Sequence, residues 1–242
     1  RPVVLWSMGK DSTLLLWLCR KAFLGRVPFP VVHIDTGRKM PEMYEFRERL
    51  AAAWDLDLRV FRNEGALRDG MGPEGGAFAC CHALKTSALL AALRELKADA
   101  ALVGIRRDEH GVRAKERYFS HRDDAGGWDA ADQPPELWEL SGPDAEAAHD
   151  RVHPLLHLTE RDVWLLTEAE GMPVNPLYFA RDGWRFRSLG CAPCCLPVPS
   201  EADSVAAIVA ELALADTPER AGRHQDKEAE FSMQKLRSLG YM

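Results

Sequence analysis

Apolar residues in this chain come in short blocks that alternate with longer stretches of helical spacing. Pro2–Trp6 is a compact apolar run that reads as a first strand, and a leucine-rich helical stretch follows to about Phe23. Pro30–Ile34 is a second β-rich run, ending at Asp35-Thr36-Gly37. Helical periodicity resumes at Pro41, a residue suited to a first turn, and continues through about Trp54. Leu56–Phe61 alternates as a third strand, Asn63–Phe78 is Gly-rich and reads as a loop, and helix returns over about His82–Leu96. Asp99–Val103 reads as strand four and Val152–Leu156 as strand five. Thr159 and Asp162 stand in the capping-box relation that opens a helix.

Strands alternating with helices of this length predict an α/β fold, a parallel five-stranded sheet with helices on both faces. Between strands four and five, Arg106–Pro135 is dense in Arg and Asp and has little apolar periodicity. Structureless stretches of that size in compact domains are seldom idle, so it is expected to be a functional loop. Pro173–Pro199 is proline-rich and irregular, and short helices are expected around Ala202–Ala213 and Lys227–Leu239. The expected division is a nucleotide-binding domain over 1–170 and an irregular C-terminal extension over 171–242. The chain opens at Arg1 directly on the first apolar run, so a preceding segment is expected.

Composition changes this picture little. Hydrophobic residues make up 46%, enough for a real core. No apolar run approaches the roughly 20 residues that span a bilayer, which predicts a soluble, cytoplasmic protein. A net charge of −6 argues against holding nucleic acid by bulk electrostatics alone.

The hexad Ser7-Met8-Gly9-Lys10-Asp11-Ser12 lies between a strand and a helix, where a helix N-terminus offers unpaired N–H groups and a positive dipole end. Gly9 lets the backbone approach an anion, Lys10 adds charge, and the serine hydroxyls can donate hydrogen bonds. The spacing is not that of the Walker loop. Asp35 falls at the carboxyl end of strand two, the crevice where open parallel sheets bind ligands. Arg106, Arg107, Arg113, Lys115 and Arg117 follow strand four on the same edge and can hold a triphosphate beside an oxyanion acceptor. Interleaved Asp108, Glu109 and Glu116 also allow a merely salt-bridged loop. His153 is either a nucleotide contact or a packed histidine.

Five of six cysteines form two groups, Cys80-Cys81 and Cys191-Ala-Pro-Cys194-Cys195, a distribution that suggests metal or redox chemistry. Cys19 lies in a helical apolar run and reads as core. Cys80, Cys81, Cys191 and Cys194 can supply the four thiolates of an iron–sulfur cluster. Tetrahedral zinc, or plain thiols, are the alternatives.

The hexad resembles the PP-loop, usually Ser-Gly-Gly-Lys-Asp-Ser, which grips the pyrophosphate end of ATP during adenylyl transfer. Met8 stands where glycine is commoner. His33–Gly37, Pro41–Arg47, Gly104–Glu109, Arg113–Arg117, Pro134–Trp138 and Gly240-Tyr241 are similar, in order, to segments of the small catalytic subunit family of ATP sulfurylases. The resemblance covers nearly the whole chain and implies an adenine nucleotide α-hydrolase-like fold with ATP and Mg2+ as cofactors. It implies catalytic roles for Lys10, Asp11, Arg106 and Arg113. The ATP site would comprise Ser7, Gly9, Lys10, Asp11, Ser12, Asp35, Thr36, Gly104 and Arg107.

Vicinal cysteines followed by Cys-x-x-Cys resemble adenylylsulfate reductases, in which four thiolates hold a [4Fe–4S] cluster; Pro176–Tyr178 and Leu189–Cys194 are also reductase-like. The familiar sulfurylase subunit lacks that pattern. A reductase needs a mobile cysteine near its C-terminus, and none follows Cys195 here. The combination resembles most the enzymes that activate a DNA phosphate for sulfur incorporation, which would work with a cysteine desulfurase and DNA-binding subunits. The alternatives are a sulfate adenylyltransferase small subunit with a GTPase partner, a sulfonucleotide reductase, and a non-catalytic nucleotide-binding module.

Overall fold

A computed structural model describes residues 1–131, 133, 148–215, 219–222 and 232–241. β1 (Pro2–Leu5) sits mid-sheet and shows how the two halves of the core are divided. Successive strand residues point to opposite faces. Val4 therefore joins Leu14, Leu15 and Leu16 of α1 (Lys10–Ala22) and Met43, Phe46 and Leu50 of α2 (Pro41–Ala53) on one face. Val3 and Leu5 join Ala88, Leu89, Ala92 and Leu93 of α5 (Ser87–Leu96) on the other. A strand buried on both sides needs a continuous apolar run, which is how Pro2–Leu5 reads.

The remaining strands are β2 (Val31–Ile34), β3 (Leu58–Phe61), β4 (Ala100–Val103), β5 (Phe119–Arg122) and β6 (His149–Val152). They form a six-stranded sheet in the order β3-β2-β1-β4-β6-β5, parallel except for β5, which runs antiparallel to β6. The chain winds outward from β1 to β3 and then returns beside β1 as β4. That reversal opens a crevice at the carboxyl ends of β1 and β4.

Several sequence expectations are corrected. The sheet has six strands, because Phe-Ser-His-Arg at β5 pairs with His-Asp-Arg-Val at β6 and both are too polar to read as strands. β6 ends at Val152 rather than beginning there. Pro154, which lacks an N–H, follows one residue later, after His153, and Leu155 and Leu156 enter the two core clusters from a turn. The expected loop Asn63–Phe78 contains α3 (Glu64–Arg68), capped by the Asn63 side chain accepting from Ala66 N at 3.1 Å. α4 (Ala77–Cys81) runs through a π-helical turn, His82–Thr86, into α5, so this helix starts before the expected His82.

α6 (Glu160–Ala169) opens with the Thr159–Asp162 capping box that the sequence announces. A small hairpin, β7 (Trp184–Arg185) with β8 (Val198–Pro199), precedes α7 (Val205–Leu212) and α8 (Ser232–Ser238). Pro134–Trp138 and the start of the helix expected from Lys227 lie outside the described residues. No helix among the described residues is long and apolar enough to cross a membrane.

Candidate active site

A cleft of about 940 Å³, open to solvent, lies at the crevice between β1 and β4. Ser7, Gly9, Lys10, Asp11 and Ser12 line it from the turn between β1 and α1, and Gly104 lines it from the end of β4. The turn is held from within. Ser7 N–H donates to Ser12 Oγ at 3.1 Å, and the Ser12 hydroxyl donates to the Gly9 carbonyl at 3.1 Å. Met8 takes a left-handed φ of 63°, and its side chain is buried in the core. Gly104 is required by proximity, since a Cβ there would stand 2.9 Å from the Asp11 carbonyl oxygen and 3.0 Å from Ser12 Cα.

Lys10 is 4% exposed and central to a web of charges. Its Nζ lies 3.1 Å from Asp11 and pairs closely with Glu219. Arg106, fully buried, pairs with Asp11 and Glu219 and donates from Nε to Asp108 at 2.9 Å. Arg113 pairs with Glu109, which Arg220 approaches at 4.0 Å. Burial disfavours the charge on Arg106, but Glu219, Glu109 and Asp108 more than offset it and hold its pKa up. Burial likewise opposes ionisation of Glu219, and Lys10 and Arg106 outweigh it. Carboxylate oxygens of Asp11, Glu109 and Glu219 lie within 4.8 Å of one another, a set that suits a hard divalent cation.

The cleft is also lined by Lys39, Lys85, Arg113, Arg220, Tyr178 and Tyr241. Tyr178 accepts a hydrogen bond from Lys10 N–H at 2.9 Å and packs edge-on against Trp164. Lys85 comes from the π-helical turn, and its Nζ lies 3.7 Å from Cys81 Sγ and 3.2 Å from Tyr241 Oη.

The residues singled out by sequence divide accordingly. Ser7, Gly9, Lys10, Asp11, Ser12, Gly104 and Arg113 line one cleft. Arg106 meets it through Asp11 and through Glu109, whose carboxylate accepts from the Arg106 N–H at 3.1 Å. Asp35, with 0% exposure, lies outside the lining: it accepts from Arg62 at 2.5 Å, Tyr44 at 2.9 Å and Gly37 N–H at 2.8 Å. Burial pushes its pKa up, but these donors prevail and it is lowered. Thr36 Oγ1 lies 3.2 Å from Cys191 Sγ, and Arg107 Nη2 donates to the Glu116 carbonyl at 3.5 Å. Neither lines the cleft. His153 is a packed histidine, its Nδ1 2.7 Å from the Arg117 carbonyl and its pKa lowered to about 4 by burial. The sequence did not flag Lys39, Lys85 or Arg220, which carry no motif of their own and reach the cleft only through the fold, nor Glu219, which pairs with Lys10 and Arg106.

All six cysteines are buried free thiols. Burial, then the neighbouring Cys81 and Cys191, pushes the Cys80 thiol up to about 11. No three cysteine sulfurs among the described residues lie within 4.8 Å of one another.

A cleft at the strand reversal, lined by the Ser7–Ser12 turn and by Lys39, Lys85, Arg113 and Arg220, suits an enzyme of the adenylyltransferase type. The chain belongs to the phosphoadenosine phosphosulfate reductase domain family, whose model matches residues 1–197. It is 42% identical to sulfate adenylyltransferase subunit 2 of Allorhizobium ampelinum, over 99% of this chain and 86% of that one. It is 39% identical to the protein of that name from Proteus mirabilis, over 99% and 90%. Among solved structures, the fold is shared with a phosphoadenylyl-sulfate reductase from Candida auris (TM-score 0.54, 17% identity, 78% and 81% covered). It is also shared with an FMN adenylyltransferase from Candida glabrata (TM-score 0.56, 20% identity, 99% and 74% covered).

Proposed function

We infer that this enzyme transfers the adenylyl group of ATP to sulfate, releasing pyrophosphate and forming adenylylsulfate. The observation that carries this is a single cleft lined both by the Ser7–Ser12 turn and by Lys39, Lys85, Arg113 and Arg220. That set of cations suits a triphosphate and a second anion held in one cleft. A sulfate oxygen attacks the α-phosphorus, the bond to the β-phosphate breaks, and the departing pyrophosphate carries the charge toward Lys10. Fixed cations aimed at charge that develops in the transition state are the main lever for such a reaction. Asp11, Glu109 and Glu219 would hold Mg2+, which would neutralise part of the triphosphate charge. Asp35, Thr36 and Arg107 would act from outside the cleft lining, by fixing the strand ends and loop around it.

The relatives' names favour sulfate over the DNA phosphate that the cysteine pattern suggests from sequence, and the numbering "subunit 2" supports a second subunit as partner. Cys80, Cys81, Cys191 and Cys194 would hold a [4Fe–4S] cluster, with Lys85 and Thr36 beside two of the sulfurs to balance thiolate charge. Anaerobically prepared protein should contain iron and sulfide and lose both in Cys80→Ser. Colourless, iron-free protein would remove the cluster from the scheme.

The activity is tested with ATP, sulfate and labelled pyrophosphate. Sulfate-dependent adenylylsulfate formation is expected, and Lys10→Ala should reduce it by roughly a hundredfold or more. Sulfite formation with a thiol reductant, dependent on Cys195, would replace this proposal with a reductase. No adenylylsulfate from wild type, with or without a partner subunit, would end it.

A further inference from the structure

Arg151 is an arginine turned fully inward from β6, with 0% exposure. Burial works strongly against its charge. What it grips is the backbone of residues 240 and 241: Nη1 donates to the Tyr241 carbonyl at 2.8 Å and Nη2 to the Gly240 carbonyl at 2.5 Å. Other contacts fix the same segment. Arg237 pairs with buried Glu116, and Trp128 N–H donates to the Ser238 carbonyl at 3.1 Å. Tyr241 N–H returns to the Leu236 carbonyl at 2.9 Å. Gly240 has φ +90°, and a Cβ on it would stand 2.8 Å from the Gly126 carbonyl oxygen, so only glycine fits without a shift.

These restraints place one ring. Tyr241 is 5% exposed, packs with Cys81 and Leu236, and lines the cleft. Its hydroxyl is 3.2 Å from Lys85 Nζ, and the same ammonium lies 5.4 Å from the ring centroid. Lysine has a long stem with several rotatable bonds, and ordering it on binding is costly. A lysine held before the ligand arrives avoids that cost.

We propose that Tyr241 is a positioning residue for the acceptor, holding Lys85 at the cleft wall where the sulfate group of adenylylsulfate is recognised. This rests on the assignment of sulfate as acceptor.

Binding constants for AMP and for adenylylsulfate, measured by titration calorimetry on the full chain, separate the possibilities. Wild type is expected to bind adenylylsulfate more tightly than AMP. Tyr241→Phe keeps the ring and removes one oxygen, and should cut that preference by about tenfold while leaving AMP affinity and the thermal midpoint unchanged. Lys85→Met should remove the preference altogether. Gly240→Ala, which displaces the hydroxyl without deleting it, should act as Tyr241→Phe does and decides the matter if the latter fails to fold. Full preference in Tyr241→Phe alongside its loss in Lys85→Met would overturn the proposal. So would equal weakening of both ligands, which marks a purely structural tyrosine. A wild type that does not distinguish the two ligands removes the sulfate assignment itself.

Discussion

Met8 occupies the position where the PP-loop commonly has glycine, and its φ of 63° is the conformation glycine takes most readily. A left-handed backbone costs a larger residue on the order of 1–2 kcal/mol. Burying the methionine side chain, here with 0% exposure, returns about 2–3 kcal/mol. Met8→Gly should therefore relax the turn yet lower stability by about 1–3 kcal/mol, read from the urea midpoint, because it leaves a cavity beside α1. A more stable variant would show that strain outweighs packing at this point. The loop itself was legible because its residues are adjacent in sequence. Glu219 was not: it lies in a polar stretch, and only folding brings it to Lys10 and Arg106. Asp35 was legible as a strand-end carboxylate, but its commitment to Arg62 and Tyr44 depends on neighbours that no local pattern announces.

At the scale of elements, the seat of α1 on β4 depends on Gly104. Adding a methyl group there forces the backbone at Asp11 and Ser12 to move, since nothing flexible stands in the way. Gly104→Ala should cost about 1–3 kcal/mol in stability. It should also reduce adenylyl transfer more than any stability loss explains, because the displaced residues carry the phosphate loop. Wild-type turnover in a folded Gly104→Ala protein would dissociate the loop's placement from its chemistry. Apolar runs such as Pro2–Leu5 declared themselves as strands. The β5–β6 pair did not, since Arg151 and Arg122 on it are buried to serve Glu116 and the 240–241 backbone rather than to pack a hydrophobic layer.

At the scale of the whole molecule, the buried histidines His33, His149 and His153 make stability sensitive to mild acid. Burial lowers His33 to about 3, and His149 and His153 to about 4. In the unfolded chain they titrate near 6.5, so below that pH the unfolded state binds protons that the folded state refuses. Each such group removes roughly 1.4 kcal/mol of stability per pH unit between 6.5 and its folded value. The denaturation midpoint should be flat above pH 7 and fall steeply from 6.5 toward 4, and His153→Gln should make the fall shallower. A level profile through that window would mean that these rings gain protons without unfolding.

The clamp of Arg151 on residues 240 and 241 also has a consequence in time. Polypeptides are made from the first residue to the last, and early segments can begin to fold as they emerge. The Ser7–Ser12 turn and both of its flanking strands precede residue 104, whereas Glu219, which pairs with Lys10, and Arg220 and Tyr241, which line the cleft, come far later. On the roles proposed for them, an unfinished chain can form the turn between β1 and α1 while the cleft still lacks the carboxylate beside Lys10 and two residues of its wall. Biosynthesis would then act as a safety catch: if these roles hold, a growing chain should not turn ATP over before Glu219, Arg220 and Tyr241 have been added.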